Sequence, residues 1–528
     1  MSLLPFLAVT VGGAVVAFLL RGWERTSTVI GAAALVGATV AALGIRSGEA
    51  LVIGEAGLAT TEFLRLFLVL SAVLGLALAV IGAATTRHRD AATVTLGILA
   101  TSALALSLPD ARLAVVAATA GGAFGALLTL GAAGARAGAT VGIRVLRATV
   151  VAGTMAIAAT AWMGRDLSEL AAQPVVFGLA YLAVAMAVAI RFGAIPFHGW
   201  AARLTDTTPE TTLPLVTASA PAAFAVVALA WADTSIAPLL VDLDTVRAVV
   251  LVVAIASIVL AAIAAWIQDD IEHVVGYSII GDAGVVLLAV AALDPEAWAP
   301  ARTWILAFVV ARSAFAGWAA ATRATFATGR LDELGGWALR APVLAAVLAS
   351  IVLATVGLPG LAAFEARATL VSLALDGPLA AVVLLATFSP LVYYGRLFAI
   401  GFGRPGRGRS RGPEDGHGSL RPRVVAPDLT ALPTWSARTW DANRIPVAVT
   451  GATLVAILAL AISFGAFEVS GAAAGLPPSL DGAVESFQPD GPVAPEASPD
   501  ADGSFEPIGS PEPETITDEP SFAPVPTP

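Results

Sequence analysis

The chain reads as an all-α polytopic membrane protein of about fourteen transmembrane helices, some of them discontinuous. Three observations predict this. Of its 528 residues, 57% are hydrophobic and only 13% are charged, where a soluble protein carries roughly 25% charged residues. The mean hydropathy is +0.84, and apolar runs of about 18 to 25 residues, enough to cross a bilayer core, recur from end to end. Finally, prolines and ionisable residues gather at a few points in these runs. A proline inside a helix frees a backbone carbonyl that lipid cannot satisfy.

In order, the spans run over 3–20, 27–44, 62–84, 91–108, 111–131, 145–163, 175–195, 209–231, 246–267, 273–293, 301–325, 342–362, 378–403 and 446–468. The first two are short for a bilayer, so residues 1–60 read as peripheral helices. The first span lacks a cleavage site and is expected to be retained. Residues 61–403 form the transmembrane core. Residues 404–445, opening RPGRGRSRGPEDGHGSLRPR, form a basic loop whose composition suits a solvated linker or contact with anionic headgroups. The last helix lies within 446–470. Residues 471–528 are rich in Pro, Asp, Glu and Ser, cannot bury a core, and are expected to be disordered.

Orientation follows from arginine. If spans alternate, one set of loops and span ends holds Arg21, Arg25, Arg87, Arg89, Arg136, Arg144, Arg147, Arg203, Arg323, Arg330 and Arg340 together with the basic loop. The other holds Arg46, Arg165, Arg247, Arg302 and few others, a roughly threefold deficit that makes the first set cytoplasmic. Both termini then lie outside the cell membrane.

Composition also excludes chemistry. There is no cysteine, which removes disulfides, thiolate metal sites, iron–sulfur clusters and cysteine nucleophiles. There is no lysine either, so all 29 basic residues are arginines. A guanidinium does not deprotonate in proteins, and any proton relay must run through Asp, Glu, His, Tyr or water. No phosphate-binding glycine loop, metal-ligand cluster or hydrolase triad is present. Hence no catalytic residue, cofactor, metal or nucleic-acid partner is assigned. The net charge of −10 reflects mainly the acidic tail.

Three stretches carry the candidate chemistry. Val188–Trp231 leads through Arg191 and an IPFHGW turn with His198 into an apolar segment interrupted by Pro214 and Pro221, with Asp206 and Glu210 between. A kink in an inert helix explains the prolines but not the charges collected beside them, and a broken helix beside an ion path explains both. Trp266–Leu288 crowds Asp269, Asp270, Glu272 and His273 at the junction of two spans and sets Asp282 about two and a half turns into the second. Histidine is the side chain whose ordinary titration lies nearest neutrality. The junction reads equally as a hydrated loop that caps helices. Gly357–Arg367 weakens a span at Gly357, Pro359 and Gly360 and then supplies Glu365 and Arg367. It echoes the first interruption, as an inverted repeat would, or it is a plain helix exit. Arg312 needs an acidic partner, with Asp282 and Glu365 available. Tyr393, Tyr394 and Arg396 read as an interfacial anchor.

Taken together, AIRFGAIPFHGW, QDDIEHVVGYSIIGDAG, LATVGLPGLAAFEAR and FSPLVYYGRL resemble segments of the antiporter-like membrane subunits of respiratory complex I, the subunit N type above all, and of Mrp-type cation/proton antiporters. The resemblance covers roughly residues 60–468. It implies two inverted five-helix repeats, each with a discontinuous helix, and a hydrated line of ionisable groups across mid-membrane. Several positions depart from the pattern. The family's glutamate on the fifth span falls near Thr119, and its lysines fall on Arg191, Pro221, Glu272, Ala316 and Arg367.

The leading expectation is a proton-translocating subunit of a complex I-related NADH–quinone oxidoreductase, holding no redox cofactor itself and partnered by other membrane-arm subunits. His198, Glu272, His273, Asp282 and Glu365 would carry protons, and Arg191, Arg312 and Arg367 would act as fixed counter-charges. The rival expectations are a non-conducting structural paralogue, which the lost lysines favour, and a stand-alone cation/proton transporter.

Overall fold

The computed structural model describes residues 2–53, 56–85, 90–130, 135–163, 174–235, 243–403 and 435–466. The acidic tail and residues 404–434 of the basic loop lie outside them, as do His88 and His417. The described helices are α1 Leu4–Leu19, α2 Glu24–Leu43, α3 Glu62–Thr85, α4 Ala91–Ser107, α5 Ala111–Leu130, α6 Ala135–Met163, α7 Pro174–Phe192, α8 Gly199–Leu204, α9 Ala220–Ser235, α10 Asp244–Trp266, α11 Ile271–Ala292 and α12 Trp298–Phe326. There follow α13 Trp337–Arg340, α14 Pro342–Val356, α15 Ala362–Ala374, α16 Gly377–Ala386, α17 Pro390–Phe402 and α18 Trp435–Ser463. Among the described residues, eleven helical segments are long and apolar enough to cross a membrane, and three shorter apolar helices accompany them. The protein is a polytopic helical membrane protein.

Two features were not anticipated. Strands β1 Ala50–Ile53 and β2 Ala56–Ala59 pair antiparallel between α2 and α3, where the spans leave only a loop. The last helix begins at Trp435 with Pro446 inside it, so the end of the segment read as basic loop is helical.

Burial sorts the helices. Every residue of the apolar window in α12 is buried within the protein, as is 94% of the window reaching from Leu215 into α9, against 39% for α10 and 22% for the α16–α17 segment. The outer helices expose Val252, Ile263, Val382 and Leu385, the apolar surface that lipid solvates. Lipid gives apolar faces no reason to leave it, so helices associate through close packing of small residues. At Gly284 of α11, a Cβ would stand 2.6 Å from the carbonyl of Ala254 on α10. Only glycine lets these two backbones meet.

The interruptions differ in kind. Pro214 and Pro221 open no gap. The chain forms a π-helical turn over Leu215–Ser219 that runs straight into α9. Pro221 has no N–H to donate and its ring crowds the carbonyl four residues back, and a one-residue widening of the turn absorbs both. Pro359, by contrast, sits in a true break. Helix α14 stops at Gly357, with φ 68° and ψ 167°, and α15 restarts after Leu361. A second break separates α16 from α17 just before Pro390, inside what reads as one span.

Candidate functional site

Helices α11 and α12 are consecutive and joined by a short turn, so they run antiparallel. Glu272 and Asp282 stand ten residues apart on α11, about 15 Å of rise, and Arg312 and Arg323 eleven apart on α12, about 16 Å. That register sets Glu272 opposite Arg323 and Asp282 opposite Arg312. Two buried rungs of opposite charge result.

The inner rung pairs one acid with one arginine, whose Nη2 has no hydrogen-bond partner among the described residues. Arg312 is fully buried, and its Nε donates to Asp282 Oδ2 at 2.5 Å. Its Nη1 donates to the hydroxyls of Tyr393 and Tyr394 at 3.1 and 3.0 Å. The Tyr394 hydroxyl lies 3.4 Å from Thr355 Oγ1, at the end of α14. Arg367 reaches back across the break, donating to the Val356 carbonyl at 2.5 Å and to the Thr355 carbonyl at 3.5 Å. The last carbonyls of a helix lack intrahelical partners and carry partial negative charge, so Arg367 caps α14. Its guanidinium is also walled by the rings of Phe388, Trp304 and Phe364 at 5.2–5.6 Å. Asp282 and Arg367 both face a cavity of about 10 Å³ that Tyr277, Ser278 and Ser389 also line, about the room one water needs.

The outer rung is shared. Arg323 Nη1 donates to Glu210 Oε1 and to Glu272 Oε1, each at 2.7 Å, and both acids are buried. Beside it, His273 Nε2 lies 3.0 Å from Asp206 Oδ1, and His273 Nδ1 lies 4.0 Å from Asp270 Oδ2. Partial burial pushes the Asp206 carboxyl up, but the His273 contact and Arg203 outweigh it and hold Asp206 below 3.8. The stabilisation from this contact is complete above that pH and is lost as pH falls through the lowered value. Solvent screening keeps it modest.

His198 sits in the turn after α7, which is held by Trp200 Nε1 donating back to the Ile190 carbonyl at 2.8 Å. Its ring lies 6.4 Å from that of Tyr277, and Tyr277 borders the Asp282 cavity. The structure thus brings Asp282, Arg312 and Arg367 together, sets His198 one aromatic ring away, and joins Glu272 and His273 in a separate cluster about 15 Å along α11. It leaves two residues apart. Glu365 is exposed and accepts from the Gly360 N–H at 2.8 Å, bracing the break. Arg191 is buried at 1% exposure, bonded through Nη1 to Thr149 Oγ1 at 3.2 Å and pressed against Gly122. Its Nε and Nη2 have no hydrogen-bond partner among the described residues.

The sequence reading gives Arg323 no partner and makes the two tyrosines an anchor, whereas the structure pairs Arg323 with Glu210 and Glu272. Tyr393 and Tyr394 are no interfacial anchor, being 2% and 1% exposed against Arg312. The ten- and eleven-residue spacings on consecutive spans were the available signal. No group of three or more His, Cys, Asp or Glu side chains could hold a metal among the described residues.

Comparison with known proteins bears on the same segment. Residues 150–392 match the family model described as NADH:quinone oxidoreductase/Mrp antiporter, TM. The match takes in Arg191, His198, both rungs and Arg367. NADH-quinone oxidoreductase subunit N 1 of Streptomyces griseus is 31% identical over 217 residues, 40% of this chain and 45% of that one. Subunit N of Halorhodospira halophila is 28% identical over 235 residues, covering 43% and 47%. The chain thus spans about half the length of the curated relatives it matches.

Solved structures extend the likeness in fold. A chain of the Mrp complex from Dietzia superposes with a TM-score of 0.65 at 20% identity, covering 90% of this chain and 97% of that one. A chain of respiratory complex I from Thermus thermophilus gives 0.62 at 18%, covering 86% and 97%. The chain shares the fold of these two chains.

Proposed function

We propose that the chain is a proton-translocating, antiporter-like subunit of a complex I-related NADH–quinone oxidoreductase. In this reading it carries no redox cofactor, works beside other membrane-arm subunits, and lies in the cell membrane with both termini outside. The observation that carries the reading is the pair of buried charge rungs between α11 and α12, the inner one beside a broken helix. Intramembrane charge is costly and persists where it serves a path or a switch. Protons would pass among His198, Glu272, His273 and Asp282. Arg312 and Arg367 would act as fixed positive charges that stabilise the ionised acid, with Tyr393 and Tyr394 as hydroxyl relays. The exposed position of Glu365 leaves it outside this path.

A specific observation favours a second reading, a non-conducting paralogue in the same membrane arm. Among the described residues, Arg191 sits buried with two nitrogens unbonded and Thr119, not an acid, on the neighbouring span, and the first half of the core shows no rung like those of the second. A stand-alone cation/proton transporter is the third reading. Gentle solubilisation followed by native mass spectrometry tests membership. Co-migration with other membrane-arm subunits is the expected result. A lone chain that exchanges cations for protons in liposomes would overturn it.

A further inference from the structure

Helix α17 is short and carries both tyrosines of the inner rung. It buries Tyr393, Tyr394, Leu397 and Gly401 and exposes Leu391, Val392 and Phe402. Tyr393 and Tyr394 are neighbours in the chain, so their side chains leave the helix about 100° apart. Both hydroxyls nevertheless accept from one nitrogen, Arg312 Nη1, at 3.1 and 3.0 Å. Only a narrow range of helix rotation allows that. The chain breaks just before Pro390, so α16 does not hold α17 in line. Lipid supplies no hydrophobic force that would fix the rotation of such a helix, which leaves the task to directional polar contacts.

Two such contacts tie α17 to α10, one on each side of the tyrosines. Ser389 Oγ donates to the Ile258 carbonyl at 3.2 Å. Arg396, which the sequence offers only as part of an interfacial anchor, is 28% exposed and donates through Nη1 to the carbonyls of Trp266 and Gln268. From Ser389 to Arg396 is about 10 Å of helical rise, and from Ile258 to Trp266 about 12 Å. The two helices therefore run in step between the straps. Trp266 ends α10, where carbonyls lack intrahelical donors and carry partial negative charge. A guanidinium bond there is charge-assisted, about twice as strong as a neutral one. Arg396 Nη2 also lies 3.7 Å from Asp269 Oδ1, but that side chain is 86% exposed, and a solvated pair at such range contributes little. From the other side, Trp337 Nε1 and the Gly336 N–H donate to the carbonyls of Leu397 and Ile400 at 3.1 and 3.0 Å. These bonds keep α17 in the bundle without Arg396 and leave its rotation at the tyrosines to the α10 side.

We infer that Arg396 is a positioning residue, which clamps α17 to the end of α10 and so fixes the rotation that sets the Tyr393 and Tyr394 hydroxyls on Arg312. The inference rests on the transport reading for what the tyrosines do there, while the positioning is testable alone.

The test is infrared spectroscopy on the full-length protein, labelled in its tyrosine rings and held in lipid nanodiscs, read at the ring C–O stretch that responds to hydrogen bonding of the hydroxyl. The chain has four tyrosines, and Tyr393→Phe and Tyr394→Phe assign the two bands of interest. Arg396→Met keeps side-chain length, removes the donors and should shift both bands. Arg396→Gln, whose shorter amide keeps a donor, is the milder change and should shift them in the same direction. Arg396→Lys, with an ammonium that can donate to both carbonyls, should leave them at their wild-type positions, as should Asp269→Asn. Unmoved bands in the methionine or glutamine variant would overturn the inference. Bands that move in Asp269→Asn would make the ion pair the strap, and bands that move in Arg396→Lys as far as in Arg396→Met would deny the carbonyl bonds their role; either result overturns it too. Proton uptake into liposomes separates this from the transport reading. Uptake should fall in Arg396→Met and return in Arg396→Lys. Shifted bands with undiminished uptake would keep the positioning and sink the relay role of the tyrosines, and reduced uptake with unmoved bands would sink the positioning.

Discussion

Charge in this protein is placed pair by pair, and the residue scale shows which pairs are matched. Asp282 and Arg312 are matched, so the loss of one strands the other in a dry interior. Asp282→Asn and Arg312→Gln should each destabilise the fold by about 3 kcal/mol or more, whereas the double substitution should cost clearly less than their sum. Thermal unfolding of the four proteins in detergent checks the cycle. Arg191 is the unmatched case. Its burial with two nitrogens unbonded predicts that Arg191→Met raises stability, on the order of 1 kcal/mol. A lower unfolding midpoint would instead mean that Arg191 is satisfied by ordered water. The sequence makes the charged residues visible and offers Asp282 to Arg312, but it does not show the other partners. Arg323 and Glu210 are 113 positions apart, and Arg312 and Tyr393 are 81 apart. Tyr393 and Tyr394 read as membrane-face anchors because aromatic residues beside an arginine usually are, and only the fold turns them inward.

At the scale of elements, the breaks decide what the charges meet. The α14–α15 break was legible because Gly357, Pro359 and Gly360 each oppose a helix for a separate physical reason. The π turn over Leu215–Ser219 was not, since its composition is that of any apolar helix and Pro221 signals only that something must give. The interruption before Pro390 reflects the N–H that proline lacks, since Ser389 itself keeps helical dihedrals, but the apolar content on both sides hid it. Gly357 adopts φ 68° and ψ 167°, a conformation essentially confined to glycine, so Gly357→Ala should cost about 1–3 kcal/mol. It should also loosen the carbonyls that Arg367 caps. Faster amide exchange at the start of α15, alongside the lowered unfolding midpoint, is the expected signature. A variant as stable as wild type would show that the break does not depend on that glycine.

For the molecule as a whole, the plan of helices could be read from hydropathy alone, because every apolar run of bilayer length found a helix or a broken pair. Short strands between α2 and α3 escaped notice because four-residue segments carry too little pattern. What the whole fold adds is a packing order, with α12 and its arginines innermost and apolar outer helices sealing the two rungs from lipid. The claim on which everything turns is that these rungs move protons. The direct measurement is potential-driven proton uptake into liposomes containing the purified chain. Wild type is compared with the Asp282→Asn/Arg312→Gln double variant, which removes the inner rung without stranding a charge. The account predicts uptake in wild type and its loss, by at least about tenfold, in the double variant. Equal uptake by both proteins, or none by wild type, would contradict it.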